Sequence, residues 1–332
     1  MYKLLINLQK DQIKSYFLIN NQLEFVVQDK VNDLVGAIFK AKITKYNANN
    51  SLAWINYIND KVGVVNLPKK VKVQTGSEIT VQMVKPDDDN KLAKFTTMTK
   101  LVGKYVIIYP FNQIPNQNTF ANEKLSVIAN KYSTINLTFR SCVETLNDYT
   151  IVENEINYLL AQLKHHTSTP DIIYPKLNKY LHLIYNFNYA NTLSIEANDN
   201  NIYQKLQQLQ QLYNFSVIQT NNSSIDLSKI TAIKYSYIQM HKLSGINLFD
   251  VNSGNDNLSG YKINLLAISE IVKAIKLNDL TGIILIDFIK NLSSYEQNNL
   301  INDLQRQLSN DWRKSKLFNF TPTGIFELIR YN

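Results

Sequence analysis

Two apolar runs near the end of the chain stop on a carboxylate, and what lies between them constrains the fold more than any other feature. Leu248-Phe249-Asp250-Val251-Asn252-Ser253-Gly254 passes from apolar residues to an acid, an amide and a glycine, and Ile283-Ile284-Leu285-Ile286-Asp287-Phe288 again ends on an acid. Leu265, Ile268, Val272 and Ile275 recur between them at steps of three, four and three. That is the period of a helix burying one face, so the segment reads strand, helix, strand.

A unit of this kind crosses over right-handed, which makes its two strands parallel and opens both carboxyl ends on one edge of the sheet. Asp250 and Asp287 are therefore expected to approach each other. Two carboxylates without a local cationic partner either share a proton or bind a hard cation such as Mg²⁺. The ordinary alternative is that each Asp merely ends its strand.

The 332 residues suffice for two or more compact units, and 45% hydrophobic content excludes a disordered chain. A net charge of +8 points to a polyanionic partner, nucleic acid before an acidic small molecule, although only 19% of residues are charged and the basicity is diffuse. Cys142 is the single cysteine, so no internal disulfide framework or cysteine-cluster zinc site can form within one chain. A reducing, cytoplasmic compartment is expected. No run of about twenty apolar residues marks a membrane segment, and Gln9, Lys10 and Asp11 follow the start too early for a signal-peptide core. Only four residues are arginine, so an Arg at a given site is more informative than a Lys.

In chain order, Leu4 to Ile6, Ser15 to Ile19 and Leu23 to Val27 read as short strands, the last two joined across Asn20-Asn21, forming either a small meander or part of a sheet completed later. Ala37 to Ile43, Leu52 to Tyr57, Val62 to Val65 and Ile79 to Val84 are closely spaced strands that suggest a small barrel. Phe39, Trp54 and Tyr57 alternate with Lys40, Lys42 and Lys45, and Lys69, Lys70, Lys72 and Lys91 sit in loops. Aromatics that stack bases beside cations that track a backbone point to RNA or single-stranded DNA; an aromatic core with a solvated lysine face is the alternative.

Tyr105 to Pro110 and Leu137 to Ser141 read as strands, the second ending in Arg140-Ser141, a guanidinium and hydroxyl that could grip a phosphate or serve a surface salt bridge. Helices are expected through Val152, Ile156, Leu159 and Leu163 to His165-His166, through Leu177, Leu181 and Ile184, and from about Asn200 to Leu212. Leu193 to Glu196 is a candidate strand. Ile233 to Met240 and Ile246 to Val251 form a hairpin-like pair leading into the acidic motif, and the tail offers a helix over 298–308 and a strand over 324–330. No Walker loop, dinucleotide fingerprint, nucleophile elbow or zinc-protease helix is present, which argues against nucleotide-driven and covalent mechanisms.

Taken together, Met1-Tyr2-Lys3-Leu4-Leu5-Ile6-Asn7, Val35 to Ile43, Lys94-Phe95-Thr96-Thr97, Leu101 to Tyr105, Phe249 to Gly254 and Leu280 to Ile289 resemble, in order, the catalytic region of the ribonuclease E/G family. The resemblance implies an α+β, multidomain chain: an RNase H-like unit (1–34 and 191–231) interrupted by an S1 (OB-type) barrel (35–104) and a 5′-sensor region (105–190), then a DNase I-like unit (232–332). It implies Mg²⁺, or Mn²⁺ in its place, on Asp250 and Asp287, with Asn252 supporting them. It further implies RNA contacts at Trp54 and Lys91 and a sensor at Arg140 and Ser141. The activity implied is metal-assisted endonucleolytic hydrolysis of single-stranded RNA, with preference for 5′-monophosphate ends.

Several positions depart from the family's pattern. Val64 stands where a second barrel aromatic is usual, Lys290 where an Asp follows the second metal carboxylate, Asn255-Asp256-Asn257 where an Arg is common, and Tyr235-Ser236 where glycines are paired. The family's zinc-linking cysteines would fall beyond Arg330, so no structural zinc is expected and a homo-oligomer would rest on other surfaces. These departures motivate a second reading, a non-catalytic RNA-binding relative.

Overall fold

The computed structural model describes residues 1–68, 73–88, 91–111, 123–165, 172–186, 193–220, 236–243, 245–253 and 257–331. Lys69, Lys70, Lys72, His166, Tyr235, Gly254, Asn255 and Asp256 lie outside the described residues. The chain divides into two compact units, Met1–Asp29 with Tyr189–Asn332, and Lys30–Asn188.

The first strands are β1 (Tyr2–Gln9), β2 (Gln12–Ile19) and β3 (Gln22–Lys30). Asn20 and Asn21 both take positive φ (50° and 64°), the conformation that a two-residue hairpin turn demands and that asparagine tolerates.

In the second unit, β4 (Ile38–Asn47), β5 (Leu52–Asn56), β6 (Val62–Asn66), β7 (Glu78–Lys85) and β8 (Ala93–Thr96) are ordered β4-β5-β6-β8-β7, and β4 also pairs with β7. That extra pairing closes a five-stranded, OB-like barrel, with β6 and β8 parallel. Alternation along the strands sends Phe39, Tyr57 and Phe95 inward, with ring centroids 4.8 to 5.8 Å apart. Phe39 and Tyr57 are thus core residues and not a stacking surface.

The same unit continues through β9 (Leu101–Val102), β10 (Val106–Tyr109), α1 (Glu123–Lys131), β11 (Asn136–Phe139), α2 (Thr150–His165), β12 (Ile172–Tyr174) and α3 (Lys179–Asn186). β11 stops at Phe139, two residues before the expected end. Arg140 N–H donates to Tyr105 O, and Ser141–Thr145 then forms a 3₁₀ turn. The α3 helix begins after Leu177, and β12, unanticipated from sequence, pairs with β4.

Back in the first unit, β13 (Leu193–Ala197), α4 (Asn200–Gln210) and β14 (Phe215–Gln219) complete the opening sheet as β14-β13-β1-β2-β3, with β13 parallel to both β1 and β14. The opening strands therefore belong to a larger sheet and are not an isolated meander. A separate sheet, ordered β15-β16-β17-β19-β18, contains β15 (Ile238–Leu243), β16 (Ile246–Val251), β17 (Gly282–Asp287), β18 (Ser315–Phe320) and β19 (Ile325–Arg330). Helix α5 (Gly260–Leu277) connects β16 to β17, which are parallel. Ser259 caps it by accepting from Lys262 N–H, and its buried Ile263, Ile268, Ile271, Val272 and Ile275 each contribute about 1.5–3 kcal/mol.

Helix α6 (Ser294–Leu308) starts earlier than its apolar pattern suggests, because Ser293 and Glu296 form a reciprocal capping box. Two of the four arginines are structural. Arg330, fully buried, bonds Asp311, Asp279 and Leu280 O, while Arg313 donates two further bonds to Asp279. No helix among the described residues is long and apolar enough to cross a membrane.

Candidate metal centre and nucleic-acid surface

Asp250 is the last residue but one of β16 and Asp287 the last of β17, and the register places them directly opposite each other. Parallel neighbours lie about 4.8 Å apart, so the two carboxylates share one spot on the sheet edge. Phe249, Val251, Ile284 and Ile286 are buried, and the two-residue alternation turns both acids to the other face. Their flanking partners on this rung are Gln239 and Ile325, neither of them cationic. Neither acid forms an ion pair among the described residues.

Asn252 donates its side-chain N–H to Asp250 Oδ2 at 3.2 Å, while its own backbone N–H donates to Tyr237 O at 2.9 Å. Asp287 Oδ1 is buried and has no hydrogen-bond partner among the described residues. A buried carboxylate oxygen left unpaired costs about 1–3 kcal/mol or more, and among the described residues Trp312 Nε1 and Ser315 Oγ are the other atoms in that state. A cation held here would pair the orphaned oxygen and cancel the repulsion between the acids. Two carboxylates with an amide behind one of them suit Mg²⁺, which is commonly held by one or two carboxylates. No group of three or more His, Cys, Asp or Glu at metal-binding spacing occurs among the described residues.

Two contributors escaped the sequence reading. Asn264, fully buried on α5, bonds both the N–H and the C=O of Ile289 (2.9 and 3.0 Å), and Glu270 accepts from the N–H groups of Ser236 and Tyr237. A polar residue inside the apolar stripe of α5 was the available signal. Lys290 is exposed.

In the barrel, one rung crosses all five strands: Lys45 opposes Trp54, Trp54 opposes Val64, Val64 opposes Lys94, and Lys94 opposes Lys85. The three lysines are exposed and Trp54 and Val64 half-exposed, with Lys45 Nζ 5.1 Å from the Trp54 ring centroid. This is an outward cationic strip with one aromatic platform. Lys91 is exposed in the loop between β7 and β8, its backbone bridged to Asp88.

The Arg140 guanidinium donates to Gly103 O at 2.8 Å and to Asn186 Oδ1, and Ser141 is exposed at the start of the 3₁₀ turn. Among the described residues Arg140 is therefore tied to carbonyl oxygens rather than to a salt-bridging acid. Nearby, Glu155 of α2 is fully buried and accepts from the N–H groups of Lys104, Tyr105 and Val106 at 2.7–2.9 Å. Gly103 permits this approach, since a Cβ there would sit 2.5 Å from the Glu155 carboxyl. Burial pushes the Tyr105 hydroxyl pKa up to about 12 and lowers that of the Lys104 ammonium.

An OB-like barrel with a basic outer strip, and in the other unit two parallel strands that bring a carboxylate pair together, define an α+β protein. Residues 236–332, the segment bearing that pair, match the model of the Ribonuclease E/G family. Over that segment the chain is similar to the family. It is 25% identical over 314 residues to a Ribonuclease E/G-like protein of Porphyra purpurea, covering 82% of this chain and 60% of that one. Over 385 residues it is 21% identical to Ribonuclease E of Synechocystis sp., covering 99% of this chain and 57% of the relative. The chain thus spans about 60% of the length of these curated relatives.

Proposed function

We propose that the chain is a metal-dependent endoribonuclease acting on single-stranded RNA. The observation that carries this reading is the opposed Asp250 and Asp287, one oxygen of which is buried and unpartnered. Asp250 and Asp287 would hold Mg²⁺ or Mn²⁺, and Asn252 orients the Asp250 carboxylate toward it. The bound ion would supply activation of water and neutralisation of charge on the phosphodiester. The Lys45, Lys85 and Lys94 strip and Trp54 supply cations for the backbone and a face for one base, and Lys91 extends the strip into a loop.

The domain reading goes with this function. The strand order β14-β13-β1-β2-β3 supports an RNase H-like unit over 1–34 and 191–231, the closed barrel an S1 domain over 35–104, and the parallel acidic pair a DNase I-like unit over 232–332. Within 105–190, Arg140 and Ser141 form the 5′-monophosphate sensor. Its guanidinium is already oriented by Gly103 O and Asn186, which suits a residue that must meet a phosphate in one geometry.

A second reading, an RNA-binding relative without catalysis, is favoured by Lys290, exposed three residues after Asp287, and by Val64 in the rung where an aromatic would widen the stacking face. A single assay separates the two. Purified protein is incubated with 5′-monophosphorylated, A/U-rich single-stranded RNA and Mg²⁺, beside Asp250→Ala and Asp287→Ala. Cleavage abolished by both substitutions is expected; salt-sensitive binding without cleavage would establish the second reading instead. Arg140→Ala is expected to erase discrimination between monophosphate and hydroxyl ends, and undiminished discrimination would refute the sensor.

A further inference from the structure

We infer that Asn264 and Glu270 of α5 are positioning residues for the acidic site, holding the backbone on both sides of it; the inference rests on the metal reading proposed above. Asn264 is wholly buried in a helix face whose other buried residues, up to Lys276 in the last turn, are Ile, Val and Ala, where an amide has no packing advantage. Both of its polar ends are used on a single residue. Its Oδ1 accepts from Ile289 N–H at 2.9 Å and its Nδ2 donates to Ile289 O at 3.0 Å. Ile289 stands two residues after Asp287 and one before Lys290, so the clamp fixes the chain where it leaves the second carboxylate. Gly260, at the start of α5, clears the way, because a Cβ there would lie 2.6 Å from Ile289 Cγ2.

Glu270 acts on the other carboxylate through a relay. Its carboxylate accepts from Ser236 and Tyr237 N–H at 2.9 Å, Tyr237 O accepts from Asn252 N–H at 2.9 Å, and Asn252 Nδ2 donates to Asp250 Oδ2. The connecting helix therefore does more than cover the sheet. It holds the segments flanking both acids by directional bonds, and directional bonds are what keep ligand geometry within the tolerance of a metal site.

The test is a calorimetric titration of Mn²⁺ into the full chain and its variants, well below each variant's melting temperature, paired with urea unfolding. Asn264→Ala and Glu270→Ala are each expected to weaken Mn²⁺ binding by about 10-fold, the usual scale for residues behind the ligands. Asn264→Asp keeps the acceptor and loses the donor, so it should fall between Asn264→Ala and the parent. Ile275→Ala, a buried apolar loss on the same helix, should lower the urea midpoint and leave the affinity alone. Affinities for the Asn264 and Glu270 variants equal to that of Ile275→Ala would overturn the inference and leave both residues merely structural. If Asn264→Ala does not fold, Asn264→Asp decides: parent-like affinity overturns the inference and intermediate affinity supports it. A parent that binds no Mn²⁺, or binds it undiminished after Asp287→Ala, instead overturns the metal reading itself.

Discussion

Glu155 and Asp287 are both acids with buried oxygens, and the protein treats them in opposite ways. Glu155 meets three backbone N–H groups and a glycine that makes room for it. Its charge is spent inside the fold, pinning a loop to α2. Asp287 is placed beside a second acid, and its buried Oδ1 meets nothing among the described residues. Burial alone therefore does not distinguish the two acids; the presence or absence of partners does.

The contrast can be broken or sharpened by substitution, and the largest effect belongs to the unpaired side. Asp287→Ala and Asp250→Ala are expected to reduce Mg²⁺-dependent RNA cleavage by at least about 100-fold, since loss of a ligand should exceed the loss of a residue behind it. Gel-resolved cleavage rates, with a chelator lane as the metal-free reference, check this. Next comes Glu155→Ala, which strands three buried donors and should cost about 3 kcal/mol in urea unfolding. A cost under 0.5 kcal/mol would mean that the satisfied acid is dispensable, erasing the contrast.

In the barrel, Trp54→Ala should weaken binding of single-stranded RNA by about 1–3 kcal/mol through loss of one stacked base, read by fluorescence anisotropy. Asp287→Asn, measured in chelator, should stabilise the fold by about 1 kcal/mol, the opposite sign to Glu155→Ala, because it removes an unpaired buried charge. The smallest effect is electrostatic. Lys94→Ala should lower the slope of log binding constant against log salt by about 0.7, the share of one phosphate contact on a single strand.

Much of the acidic site was legible because the strand, helix, strand pattern leaves little freedom. Once Leu265, Ile268, Val272 and Ile275 declare a helix, the flanking runs must be parallel, and Asp250 and Asp287 must meet. The closed barrel was similarly readable from alternation, although alternation alone did not say which aromatics point inward; Phe39 and Tyr57 do, while Trp54 does not. Helix α1 and strands β8, β9, β12, β14 and β18 were missed. All of these strands but β8 lie at the edge of their sheets, and edge strands need not carry a clean apolar pattern, as half-exposed Ile172 and exposed Ile218 and Phe318 show. The Arg140 contacts were hidden because they join residues distant in sequence, Gly103 and Asn186. Asn264 was overlooked for a related reason: inside an apolar helix it reads as a small blemish until its partner, Ile289, is seen across the connection.

The account stands or falls on the oxygen that the fold leaves unpaired. Mn²⁺ binding counted by electron paramagnetic resonance on the parent and on Asp287→Asn tests it most directly. The account predicts one tightly bound ion per chain in the parent and its loss in the variant, while an equal count in both would contradict it.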